Sequence, residues 1–137
     1  MIILNDCLFC KIIKGEIPSS KVFENEYVYA FKDIDPQAPV HYIFIPKAHI
    51  KSADEINEEN AFYISEIFKA INYVAKKENL SKGYRIINNC GQDAGQTVHH
   101  IHFHLIYNKK CCQTKLFQRL QDTCQVLVLN FLYCLLR

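Results

Sequence analysis

Hydrophobic residues change their spacing along this chain, and each change marks an element. Over residues 57–79, Ala61, Ile64, Ile67, Phe68, Ile71, Val74 and Ala75 recur at three- and four-residue steps, which predicts one long amphipathic helix. Asn57 is placed to cap its start, Glu58 and Glu59 suit the positive end of its dipole, and Lys76 and Lys77 suit the other end. Upstream, residues 21–24 and 27–31 predict two strands of a hairpin turning at Asn25-Glu26, and residues 41–46 a strand stopped by Pro46. Residues 33–39 form a loop whose direction is set by Pro36 and Pro39. Residues 84–88 predict a further strand. Near the N-terminus, residues 7–15 read as a short helix closed by Gly15, with Leu8, Phe9 and Ile12 on its buried side.

The most informative pattern lies downstream, in Gly95-Gln96-Thr97-Val98-His99-His100-Ile101-His102-Phe103-His104-Leu105. His100, His102 and His104 alternate with Ile101, Phe103 and Leu105. On a strand this puts three imidazoles on one face and three apolar groups on the other. On a helix the same residues would spread round the axis and leave apolar surface in water. A strand with a chemical face and a core face is therefore expected. An expression tag would not alternate with Ile, Phe and Leu in the interior of a chain.

Strands that arrive as neighbouring hairpins, with one long helix between them, predict an antiparallel α+β fold rather than a parallel sheet. The 137 residues suit one ordinary domain, and a composition 50% hydrophobic and 22% charged is that of a globular protein. There is no internal repeat and no Pro- or Gly-rich linker. The first residues, Met1 to Asp6, have neither a basic segment nor a long apolar one, so no secretory signal is expected. The seven cysteines then read as reduced thiols of a cytoplasmic protein. The net charge of +2 hides an asymmetry: residues 107–137 hold five Lys or Arg against one Asp, while residues 1–106 hold 11 against 13. That acidic body is no nucleic-acid binder, and a small substrate fits it better.

Three imidazoles on one rigid strand suit either a divalent metal or attack on phosphorus, with one histidine as nucleophile and its neighbours orienting it. The loop before them, residues 88–97, ends in Gly-Gln-Thr and offers backbone N–H groups, an amide and a hydroxyl to phosphate oxygens. Donors beside a nucleophilic histidine point to phosphoryl or nucleotidyl chemistry. The segment Gly-Gln-Thr-Val-x-His-Ile-His-Phe-His-Leu resembles the signature of the histidine-triad (HIT) nucleotide-binding family. Three more segments are similar to the Hint branch of that family: residues 7–18 (Cys-Leu-Phe-Cys-Lys-Ile-Ile-Lys-Gly-Glu-Ile-Pro), residues 31–41, and Ile-Pro-Lys-Ala-His at 45–49. The four come in family order.

The resemblance implies a five-stranded antiparallel sheet with one long helix and a short N-terminal helix, paired into a homodimer. It implies that His102 is the nucleophile, with His100, His104 and Thr97 completing the catalytic group. Asp33 matches the carboxylate that receives ribose hydroxyls. Leu8, Phe9, Ile12, Phe31 and Ile34 match the apolar slot for the base, although from the residues alone all five read as core. Asn89, Gly95, Gln96, Thr97, Phe103 and His104 complete the implied substrate contacts. The implied activity is that of a purine nucleoside phosphoramidase, releasing a purine mononucleotide through a nucleotidyl-histidine and needing no cofactor for catalysis. Two alternatives share the triad: a dinucleoside polyphosphate hydrolase or nucleotidyltransferase, and a nucleotide-binding scaffold with little turnover.

Cys7-x-x-Cys10 has metal-ligand spacing, but one pair cannot fill the four positions of zinc. With His49 and His100 it matches a zinc site of some bacterial family members; other Hint proteins lack the cysteines and bind no metal. Two readings stand, a structural zinc or a pair of reduced thiols facing the interior. The resemblance ends after Leu105. Residues 1–106 are expected to form the catalytic domain and 107–137 an atypical extension, in place of the family's Gly-Gly-Arg segment and Trp-Pro-Pro-Gly tail. The extension holds Cys111, Cys112, Cys124 and Cys134 and ends in the apolar run 126–136. That run falls short of the roughly 20 residues of a membrane-spanning helix.

Overall fold

A computed structural model describes residues 7–108 of the chain. From residue 109 on, the extension expected over 107–137 lies outside the described residues. Five strands make one sheet: β1 (Lys21–Glu24), β2 (Val28–Lys32), β3 (Val40–Pro46), β4 (Arg85–Ile87) and β5 (Phe103–Tyr107), in the spatial order β1-β2-β3-β5-β4. Every neighbouring pair is antiparallel. Among the described residues two α-helices accompany it, α1 (Leu8–Ile13) and α2 (Phe62–Lys77). No helix among the described residues is long and apolar enough to cross a membrane.

The β1–β2 hairpin turns where its sequence predicts. The Asn25 side-chain oxygen accepts the N–H groups of Tyr27 and Val28, at 2.9 and 2.7 Å, and closes the turn. The two faces of the sheet carry separate cores. Val28, Ala30, Tyr42, Phe44, Phe103 and Leu105 pack with Ile67, Ala70, Ile71 and Val74 of α2. On the other face Tyr29, Phe31, Ile43 and Ile45 pack with Phe9 and Ile12 of α1. Strand β3 is therefore covered on both sides, which is why residues 42–45 are apolar without alternation.

Two boundaries differ from expectation. Helix α2 begins at Phe62, not near residue 57. Asn57 Oδ1 instead accepts the N–H groups of Glu59 and Asn60, and Asn60 Oδ1 accepts that of Asn57. The two asparagines thus close a turn of their own ahead of the helix. The histidine strand also starts late. Ladder pairing with β3 ends at Phe44↔Phe103, so His104 lies in β5 while His100 and His102 precede it. Upstream of Phe103 the chain turns to another partner, with the Ile101 N–H donating to the Ile50 carbonyl at 2.6 Å. The two-faced character survives regardless: Ile101, Phe103 and Leu105 all lie in the core under α2.

Candidate active site

An apolar cleft of about 720 Å³ opens beside α1 on the face away from α2. Its walls include Leu8, Phe9, Ile12, Phe31, Asp33 and Ile34, together with Ile17, Pro18 and Ile43. All five residues expected to form the base slot thus share one cavity, of a size usual for small-molecule sites. Phe9, Ile12 and Phe31 are buried as its floor, while Leu8 is partly and Ile34 wholly exposed at its lip. Phe9 meets Phe31 edge-on at 5.7 Å and the His102 ring at 5.2 Å, so one wall of the slot also touches the triad, although no histidine lines the cavity itself. Phe103 is a correction. Alternation along β5 turns it under α2, where it packs on Phe68, and it takes no part in the cleft.

Fixed donors and acceptors around the histidines set their tautomers. A carbonyl oxygen can only accept, so His102 donates Nδ1–H to the His100 carbonyl, 2.8 Å away. Its Nε2 lone pair is left out of that bond. His100 likewise donates Nε2–H to the Pro46 carbonyl at 2.9 Å, leaving its Nδ1 lone pair facing Cys7 and Cys10. Sequence reasoning missed a fourth member of the group, His41. The Gln37 N–H donates to His41 Nδ1, so the ring proton of His41 is on Nε2. Nε2 lies 2.8 Å from His104 Nδ1, to which it donates, and 3.3 Å from Asp33 Oδ2. His104 therefore carries its own proton on Nε2. Asp33, His41 and His104 come close enough together to suggest a second metal site. The tautomer argues against it, because the His41 lone pair is on Nδ1 and engaged by Gln37.

Burial keeps all four rings neutral at pH 7. His100 and His104 are each pushed down to about 4 by desolvation first, and then by neighbouring histidines. His102 and His41 are lowered by the same cause, with Asp33 partly opposing. A neutral His102 has its lone pair available for attack.

The phosphate loop contributes less than its sequence suggests. Gly95 N–H donates to Gln92 O and Gln96 N–H to Gly91 O, so both are consumed inside the turn. The Gln96 side chain is buried and saturated: its Oε1 accepts Gly91 N–H, and its Nε2 donates to Lys51 O and Val98 O. Gln96 braces the loop against the segment after β3, a correction to its expected role as a phosphate donor. Gly95 holds φ at +81°, a conformation that suits glycine. Thr97 is exposed and Asn89 half-buried, and among the described residues no hydrogen bond ties either to the triad.

Cys7, Cys10, His49 and His100 converge beside α1. Cys10 Sγ lies 3.3 Å from His49 Nδ1 and 3.5 Å from His100 Nδ1, and Cys7 Sγ lies 3.5 Å from His100 Nδ1. Bonds of about 2.3 Å to sulfur and 2.05 Å to nitrogen at the tetrahedral angle would separate S and N ligands by roughly 3.5 Å. The donor set and its spacing therefore fit zinc. Without a cation, burial and then the Cys7 thiol push Cys10 up to about 11, so a dication is what would bring it to thiolate.

The family model described as "Scavenger mRNA decapping enzyme C-term binding" matches residues 6–117. An uncharacterised HIT-like protein of Methanocaldococcus jannaschii is 46% identical over 101 residues, 73% of this chain and 77% of that protein. Among solved structures, a HIT family hydrolase from Clostridium thermocellum is 50% identical, with a TM-score of 0.78 over 82% of this chain and 99% of that one. A histidine triad nucleotide-binding protein from Candida albicans is 30% identical, with a TM-score of 0.67 over 92% of this chain and 99% of that one.

Proposed function

The chain belongs to the histidine-triad family, and on that premise we propose that it is a nucleotide-binding hydrolase that cleaves the P–N bond of purine nucleoside 5′-phosphoramidates. The observation that carries this reading is the His102 tautomer beside an apolar slot: Nδ1–H is bound by the His100 carbonyl and the Nε2 lone pair is free of that bond. In the first step Nε2 attacks the α-phosphorus, the P–N bond breaks, and the amine leaves with its electron pair and a proton from solvent. The imidazolium formed on His102 keeps Nδ1–H on a carbonyl dipole that favours its positive charge, the role a carboxylate plays beside other catalytic histidines. His104 Nε2–H is the donor to a phosphoryl oxygen. Water then attacks phosphorus and gives up a proton to solvent, the N–P bond returns its electrons to Nε2, and the mononucleotide is released. Dividing the displacement into two steps is the gain of covalent catalysis.

Binding rests on different atoms. The base enters between Phe9, Ile12, Phe31 and Ile43, and Asp33 at the mouth receives ribose hydroxyls. His102→Ala should therefore abolish turnover of an adenosine phosphoramidate, with no adenylated protein by mass spectrometry, and leave AMP affinity measurable. Full activity in that variant would exclude the covalent route. Faster turnover of diadenosine polyphosphates than of the phosphoramidate would move the chain to the other hydrolase class.

Two further parts of the reading concern assembly. A zinc ion at Cys7, Cys10, His49 and His100 would tie α1, which carries three slot residues, to the segment that carries the nucleophile. Its chemistry is structural, since four protein ligands leave no open position. Pairing into a homodimer is supported by half-exposed Phe68 of α2, which shares a groove with Tyr84 and Ile86.

A further inference from the structure

Strand β5 is held on one side by β3 and on the other by β4, and both ladders stop short of the nucleophile. Pairing with β4 runs from Arg85↔Ile106 to Ile87↔His104. Pairing with β3 ends at Phe44↔Phe103. His102 thus lies just past the point where the sheet forks, and Ile101 is drawn towards Ile50. A nucleophile on unpaired backbone would be poorly aimed, yet His102 is only 5% exposed and its ring makes a 2.8 Å bond. What holds its main chain is a side chain: Asn88, the first residue after β4, donates Nδ2–H to the His102 carbonyl at 2.8 Å.

We propose that Asn88 is a positioning residue for the His102 nucleophile, its amide standing in for the rung that the sheet no longer supplies. The bond fixes the peptide plane that follows His102, while the His100 carbonyl fixes the ring. Together they leave the Nε2 lone pair one direction in which to point. Asn88 differs in this from its neighbour Asn89, which the family pattern assigns to substrate. The proposal rests on the reading of His102 as nucleophile, and its test separates the two.

The full-length protein, with Asn88→Ala and Asn88→Asp, is compared by three measurements: turnover of an adenosine phosphoramidate, AMP affinity, and ¹⁵N spectra of the histidine rings. Misplacement of a reacting group by about 1 Å costs on the order of 100-fold. The expected loss in kcat is therefore about 10- to 100-fold in Asn88→Ala, at unchanged AMP affinity. Asn88→Asp, although nearly isosteric, should be worse than Asn88→Ala, because an ionised carboxylate cannot donate and repels the carbonyl. A space-filling role predicts the opposite order. In the spectra, His102 should leave its single Nδ1–H form in both variants while His100 keeps its own. If the Asp variant does not fold, the Ala variant still carries all three measurements. Wild-type kcat and an unchanged His102 tautomer would overturn the proposal, as would parallel losses of kcat and AMP affinity. A wild type inert on phosphoramidates, with His102 still shifting tautomer in the variants, would refute the hydrolase reading and leave the positioning role standing.

Discussion

Replacing His104 with Gln should make the protein less stable at neutral pH and more stable in acid. In the fold His104 is held at about 4 by burial first, and then by its neighbours His102 and His41. In the unfolded chain it returns to about 6.5. Between those values the unfolded chain binds a proton that the folded chain does not, so acid favours unfolding there. The stability from a neutral His104 is complete above pH 6.5 and is lost as pH falls towards 4. For this one group the loss is about 1.4 kcal/mol by pH 5.5 and about 3 kcal/mol by pH 4. Glutamine does not titrate, and its Oε1 can still accept the Nε2–H of His41 (2.8 Å from His104 in the native protein). The neutral-pH cost should then be about 1 kcal/mol, the value of a strained or lengthened hydrogen bond. The two stability curves should cross between about pH 5 and 6. Urea unfolding of both proteins at pH 7.5, 6.5, 5.5 and 4.5, with the same metal content, measures the difference directly. A difference that stays constant across that range would show that His104 is not held neutral by the fold, and the assignment of its Nε2 proton would fall with it.

Two other predictions concern assembly. Protein purified without chelator should carry about one zinc per chain, and Cys7→Ser with Cys10→Ser should lose it together with part of the AMP affinity, since α1 is then free to move; metal near zero with unchanged stability in the double variant would leave the thiols as packing residues. Phe68→Asp should shift sedimentation from dimer to monomer without unfolding the domain, because Phe68 is already about half exposed in the single chain. An unchanged sedimentation coefficient would place any pairing elsewhere.

The long helix, β2 and β3 were legible because their periods differ sharply, and the triad because three histidines alternating with apolar residues have few other uses. The late start of β5 was not legible, for a physical reason. Alternation of side chains is a property of extended backbone and persists whether or not a neighbour is hydrogen-bonded to it. Residues 100–105 therefore look uniform although the ladder begins only at Phe103. His41 shows a second kind of blindness. It stands at the start of a strand and reads as one more strand residue. The signal that could have found it is its isolation: it is the one basic side chain of β3, in a run buried on both faces from His41 to Pro46. A buried imidazole needs a partner, and its partner would be sought among the other histidines.

Gln96 and Asn88 mark the limit more sharply. Both are side-chain amides near the loop, and the sequence singles out Gln96 as a donor to phosphate but not Asn88. The fold commits Gln96 to Gly91, Lys51 and Val98, and Asn88 to the carbonyl of the nucleophile. Sequence tells which donors exist, and substrate can use only those left over once the backbone has been satisfied. In this loop the fold takes the Gly95 and Gln96 amides for itself, so oxyanion stabilisation should depend more on His104 and less on the glycine loop than the Gly-Gln-Thr motif alone would suggest.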